Sequence, residues 1–213
     1  MRRFFSIVVL SVALLPLTGF ARTVADVFAT EPGNIFPLLT RTNRLDMVDY
    51  FRSGTIMAIP NNLAGESLLL ELDSTYLKVQ TSESRIVEML MRTAGKDTVI
   101  TVIETVMTPV PDSRLTQWNV HWQRYTSDKL FSMPTIDDFI VKKMSQELRA
   151  DLQEAMIFPL VRLAFKGEKH DVIEATHGLD RFLAASEYKR FADYLKPSLS
   201  YRFNGLKIKP VKK

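Results

Sequence analysis

The sequence predicts an α+β fold: an antiparallel β-meander sheet with an N-terminal helix and two further helices packed on one face. Three observations predict it. Between Thr55 and Tyr125 the apolar residues recur with period two, in short runs separated by Pro, Asn, Asp, Ser and Gly, as in strands joined by tight turns. Before and after that stretch, three segments carry the helical period instead. The resulting order, helix, meander, helix, hairpin, helix, strand, is segregated, whereas a parallel sheet would need alternation.

The first element to justify is one expected to be removed. "MRRFFSIVVLSVALLPLTGFA" has two arginines, an apolar run from Phe4 to Leu17 and a small-x-small end at Gly19 to Ala21, the three parts of a secretory signal with cleavage expected after Ala21. The run is shorter than the roughly 20 residues of a spanning helix, and Pro16 interrupts it. No later stretch is apolar enough to span a bilayer, so the mature chain is expected to be soluble, in the periplasm or at the cell surface. The chain has no cysteine, which excludes disulfides, a thiol nucleophile and a lipid-bearing cysteine. Its net charge is +4, and loss of Arg2 and Arg3 takes this to +2, too little for a nucleic-acid footprint. With 213 residues, 46% of them hydrophobic, the chain can bury a core without staples. Residues 22–213 are expected to form one domain, with a sub-domain seam near Phe131 to Thr135 as the alternative division.

After an irregular lead-in that sets Ile35, Phe36, Leu38 and Leu39 on the core, the first helix is predicted from an Asn43 N-cap to a Gly54 stop. At about 100° per residue, Leu45, Met47, Val48, Tyr50 and Phe51 make a broad apolar face. Asp46 and Asp49 are left on the polar strip, where a capped amphipathic helix places its charges. Strands are then predicted in "TIMAIPNN", "SLLLELDS", "TYLKVQTS", "TVITVIETVM" and "RLTQWNVHWQRY"; "RIVEMLMR" fits helix or strand. "TVITVIETVM" is apolar on both faces, as a central strand would be. Its partner alternates, with Trp118, Val120 and Trp122 on one face and Gln117, Asn119, His121 and Gln123 on the other, so one sheet face is expected to be covered and the other wet. The link "TPVPDS" reads as a hairpin loop. A helix capped by Thr135 or Asp137 and ended by Pro159 follows. Then come a hairpin, "PLVRLAF" and "HDVIEATH", a helix over "DRFLAASEYKRFADYL" stopped by Pro197, and a last strand "SLSYRFNGLKI".

The chemistry is mostly defined by absence. The eight glycines are scattered, with no phosphate-loop or dinucleotide fingerprint and no G-x-S-x-G elbow. No cofactor is implied. His121, His170 and His177 have no zinc-ligand spacing; His170 and His177 flank one predicted strand on opposite faces and read as surface or strand-end histidines. The candidate binding residues are Trp118 and Trp122, a pair that would either pack in the core or floor a groove; Asp46 and Asp49; and the loop group Asp112, Ser113 and Arg114, whose plain reading is a turn with Asp112 accepting from a backbone amide. Glu104 interrupts the apolar strand and needs a partner such as Arg114 or Arg124. The tail "LKIKPVKK" reads as a solvated end.

"FPLLTRTNRLDMVDYFRSG", "IPNNLAGESLLLELDSTYLKVQTSES" and "ETVMTPVPDSRLTQWNVHWQ" together resemble a family of secreted Bacteroidales proteins, domain of unknown function 3256. The likeness runs from about Phe28 to Phe139 and is looser beyond. It is carried by Pro37 to Thr40, Asn43 to Asp46, the Asn-x-Leu-x-Gly turn Asn61 to Gly65, Thr108 to Arg114, and Trp118 or Trp122. The resemblance implies export and a shared fold. It brings no catalytic residue with it.

Three functional classes follow. The first is an exported, non-catalytic protein that binds an envelope protein, a glycan or a small apolar ligand. The second is a hydrolase using Asp46, Asp49, Asp112 or Glu104, which would need two carboxyl groups facing one cleft roughly 5 to 9.5 Å apart. The third is a carrier of a lipid or small apolar ligand, which predicts an apolar cavity covered by helices.

Overall fold

The computed structural model describes residues 22–155 and 160–211; the expected signal segment and Pro159 lie outside them. Helices α1 (Val24–Thr30) and α2 (Arg41–Arg52) precede strands β1 (Ile59–Pro60), β2 (Glu66–Leu72), β3 (Tyr76–Ser82), β4 (Arg85–Ala94), β5 (Asp97–Val106) and β6 (Asp112–Asn119). Helices α3 (Ile136–Phe139) and α4 (Gln146–Ala155), strands β7 (Val161–Lys166) and β8 (Val172–His177), helices α5 (Leu179–Phe182) and α6 (Ala185–Ala192), and strands β9 (Ser198–Asn204) and β10 (Lys207–Pro210) complete the chain. The strands form two antiparallel meanders, β1 to β6 in one sheet and β7 to β10 in another. The α+β class and the antiparallel meander therefore hold, and the second sheet is an addition to them.

Two cores explain the layering. On one face of the larger sheet, Val24, Val27 and Phe28 of α1, Ile35, Phe36 and Met47 pack on Leu77, Val79, Val87, Met89, Ile100 and Val102. On its other face, Tyr76, Leu90 and Ile103 meet Leu163, Phe165, Ile173 and Tyr201 of the smaller sheet, with Phe139, Leu152 and Phe191 from the short helices. Full burial of such a side chain contributes about 1.5–3 kcal/mol. The expectation of one wet sheet face is thus corrected. Gln117 of β6 is buried, on the face that the polar alternation assigned to water and whose neighbours Leu90 and Ile103 pack with the smaller sheet.

Several local readings change for identifiable reasons. The first helix starts at Thr40, not Asn43. Thr40 Oγ1 accepts from the Asn43 amide at 3.1 Å and Asn43 Oδ1 accepts from the Thr40 amide at 3.0 Å, a reciprocal capping box that a start at Asn43 would forgo. Asp46 consequently falls outside the first turn. The buried face of α2 is Arg44, Met47 and Val48 with Phe51 beside them, whereas Leu45 is 41% exposed. The lead-in contains α1, closed by a Thr23 to Asp26 box. "RIVEMLMR" is the strand β4, paired with β5 over ten residues.

The helix predicted from Thr135 breaks after Phe139. Ile140 bridges to Leu195, and the Val141 amide donates to the Tyr194 carbonyl at 2.9 Å, so a tertiary bridge at two β-branched residues overrides the helical period. The next helix is interrupted at Leu183 and Ala184. The last strand folds back at Asn204-Gly205, where Gly205 has φ +60°. Strand β6 ends at Asn119, whose Oδ1 accepts from the His121 and Gln123 amides. Val120 and Trp122 therefore belong to a turn.

Candidate functional site

The residues singled out from the sequence hold different parts of the fold. Asp46 and Asp49 are exposed on α2; among the described residues neither carboxylate has an ion pair. Asp112 and Ser113 begin strand β6 instead of sitting in the loop, and they join the sheets. Asp112 Oδ1 accepts from the Val161 amide at 3.2 Å and Ser113 Oγ from the Leu163 amide at 2.9 Å, which satisfies the outward amides of edge strand β7. Arg114 Nη2 donates to Glu104 at 2.6 Å, and Arg85, from the neighbouring strand, ion-pairs with the other oxygen. Arg114 is one of the two partners the sequence offered; Arg124 is not used, and Arg85 was not foreseen. Trp118 and Trp122 meet edge to face at 6.0 Å against the helix-side core, which is the packing alternative.

Two buried groups not foreseen from the sequence organise the same side. Glu31 accepts from the amides of Gly33, Asn34, Ile35 and Phe36 at 2.9, 2.7, 3.0 and 3.3 Å. Arg44, 3% exposed, lies 3.6 Å from that carboxylate and donates to the Leu39 carbonyl. An acid two residues before a glycine in a loop is the signal that could have revealed this anchor. Asn61, in the Asn61 to Gly65 turn, accepts from the Leu63 and Gly65 amides and donates to the Thr81 carbonyl.

A cleft of about 890 Å³ on the sheet–sheet side is built by other residues. Its base is the end of β4, and its walls are the Asp73 to Thr75 turn, the β7–β8 loop and Phe203 of β9. Alternation places Val87, Met89 and Met91 of β4 in the helix-side core and leaves Glu88, Leu90 and Arg92 on the opposite face. The Arg92 guanidinium stacks 4.0 Å from the Phe203 ring. Its Nε and Nη2 are buried with no hydrogen-bond partner among the described residues, and burial brings its pKa down to about 10. Leu90 and Phe203 supply apolar wall.

The opposite wall is a polar relay. His170, held at φ +52° in the β7–β8 loop, stacks on Tyr76 with centroids 3.6 Å apart. Its Nε2 is 3.5 Å from Asp73 Oδ2. Burial alone would raise the Asp73 carboxyl, but the amides of Thr75 and Tyr76, the Thr75 hydroxyl and His170 together hold it below the usual carboxylate range. Behind it, the Tyr76 hydroxyl donates to Glu88 at 2.8 Å. Burial pushes the Glu88 carboxyl up, outweighing Tyr76, Lys78 and Arg162, and pushes the Tyr76 hydroxyl up as well.

His177 takes the strand-end place expected of it but not a surface one, since it is 8% exposed and packs 5.2 Å from Phe139. It ends β8 beneath the short helices, so counting strand positions could not show that it is covered. Arg92, His170, Asp73 and Phe203 were likewise not selected from the sequence. An arginine and a glutamate within the apolar run "RIVEMLMR" are the only signal there.

The fold and the cleft define a class: a two-sheet α+β protein with a ligand-sized cleft bordered by an unpaired arginine. The family of proteins of unknown function DUF3256 matches residues 17–208, and the chain belongs to that family. Among solved structures it is similar to a domain of an uncharacterized protein from Porphyromonas gingivalis W83, with a TM-score of 0.78 and 22% identity over 90% of this chain and 100% of that chain. That likeness shows the fold. No curated protein matches.

Proposed function

We propose that this chain is an exported binding protein whose cleft between β4 and the β7–β8 loop holds a small ligand with an anionic group and an apolar body. The observation that carries the reading is Arg92. A guanidinium with two buried nitrogens and no acceptor among the described residues is unfavourable unless something else supplies one, and a carboxylate or phosphate in the cleft would do so while its apolar part lay on Leu90 and Phe203. The rim carries both signs, with Arg22 and Lys169 facing Asp73, Glu168 and Asp171. Arg92 therefore decides which charge the interior prefers.

Export rests on the three-part N-terminal pattern and the absence of cysteine. The hydrolase alternative is less supported. Glu104 is engaged by two arginines and Asp112 by a β7 amide, while Asp46 and Asp49 lie on the exposed face of α2. For the carrier alternative, the cleft is bordered by strands and turns where a helical cover was expected.

Native mass spectrometry of the protein purified gently from its own host tests the reading. The expected result is a chain beginning at Arg22 that carries a reproducible extra mass, absent from Arg92→Met. A bare wild-type chain, or the same added mass in the variant, would overturn the cleft assignment.

A further inference from the structure

A second cavity, about 270 Å³, lies at the far end of the smaller sheet and shares no lining residue with the cleft. It forms where the end of β8 turns into α5 beneath the loop leading into β6. Gly178 sits at that corner, and a Cβ there would come within 2.3 Å of Val110 Cγ1, so the close approach requires glycine. Arg162 of β7 and Arg181 of α5 line the cavity with Asp180, Thr176 and Tyr188. Among the described residues neither arginine has an ion pair, which leaves one positive charge in excess. His177 also borders the cavity, its ring 6.2 Å from Tyr188.

We propose that this cavity is a second binding site, independent of the cleft, for a small ligand bearing a phosphate or carboxylate group gripped by Arg162 and Arg181. Guanidinium groups suit either oxyanion through paired N–H donors. Thr176 and Tyr188 offer hydroxyls to the rest of the ligand, and Asp180 disfavours a second negative group on its side. The His177 ring borders the bound anion and reports its arrival.

With only three histidines in the chain, ring NMR signals distinguish the sites: His177 for this cavity, His170 for the cleft and His121 for neither. Inorganic phosphate and acetate are the probes, titrated separately into the purified protein at constant ionic strength. The expected result is a saturable shift of the His177 ring with one probe or both, with His121 unmoved, and affinity at least tenfold weaker in Arg162→Gln/Arg181→Gln. Saturation by phosphate alone assigns the site to phosphates, and by acetate alone to carboxylates. Both substitutions are at accessible side chains, and an unchanged spectrum elsewhere verifies the fold. No saturable shift, equal shifts at all three histidines, or an undiminished shift in the double variant would overturn the proposal.

Discussion

The two faces of the larger sheet treat buried charge differently. On the helix side, Glu31 has four amides and Arg44, and Glu104 has Arg85 and Arg114. On the sheet–sheet side, among the described residues, Glu88 has a tyrosine hydroxyl but no basic partner within ion-pair distance, and Arg92 has no acidic one. Both project from the same face of β4, four residues apart, so roughly 13 Å of strand separates them and they cannot neutralise each other. Paired charge fixes the chain's own geometry. Unpaired charge beside a cleft leaves the attraction available to a ligand, and the difference separates the part of the molecule that is architecture from the part assigned to binding.

The largest expected effect comes from breaking the paired side. Glu31→Ala strands Arg44 and four loop amides, and should cost about 3–5 kcal/mol, read as a lower midpoint in urea denaturation. A smaller effect with a distinctive pH signature tests the unpaired side. The folded-state pKa of Glu88 is raised, so its contribution to stability is fully present below the unfolded value and is lost as the pH rises through the folded one. Glu88→Gln keeps an acceptor for Tyr76 and removes that loss. The variant should match the wild type at pH 4 and exceed it at pH 7.5 in paired denaturation curves. His177, neutral by burial, has the opposite sign: stability is present above the unfolded pKa of about 6.5 and falls as the pH drops through that value towards the folded one. His177→Gln should flatten this dependence.

The same contrast decided what could be read in the sequence. The stretches that carry the family resemblance, Pro37 to Asp46, Asn61 to Gly65 and Thr108 to Arg114, contain cap residues, a side-chain-clasped turn and the anchors of β7. Such features have local signatures, and the meander with its hairpins was legible from them. The helix boundaries at Phe139 and Leu183 were not, because a bridge to Leu195 and packing on the smaller sheet set them. The cleft was also hidden. Asp73, Arg92, His170 and Phe203 come from four places along the chain, and none has a neighbour in sequence that marks it. The candidates drawn from the sequence, Trp118 and Trp122 foremost, were chosen by residue type, and the structure uses that pair for packing on the helix side.

The central claim is that the Arg92 charge serves a ligand and contributes little to the fold. Its most direct test is the urea denaturation midpoint of ligand-free Arg92→Met beside ligand-free wild type. Methionine keeps apolar contact with Phe203, and the stacking lost is about 0.5–2 kcal/mol, set against removal of a guanidinium with two buried nitrogens that have no partner among the described residues. The predicted result is a variant within about 0.5 kcal/mol of the wild type, or more stable. A loss approaching the about 3–5 kcal/mol expected of a broken buried pair would contradict it and return Arg92 to the architecture of the fold.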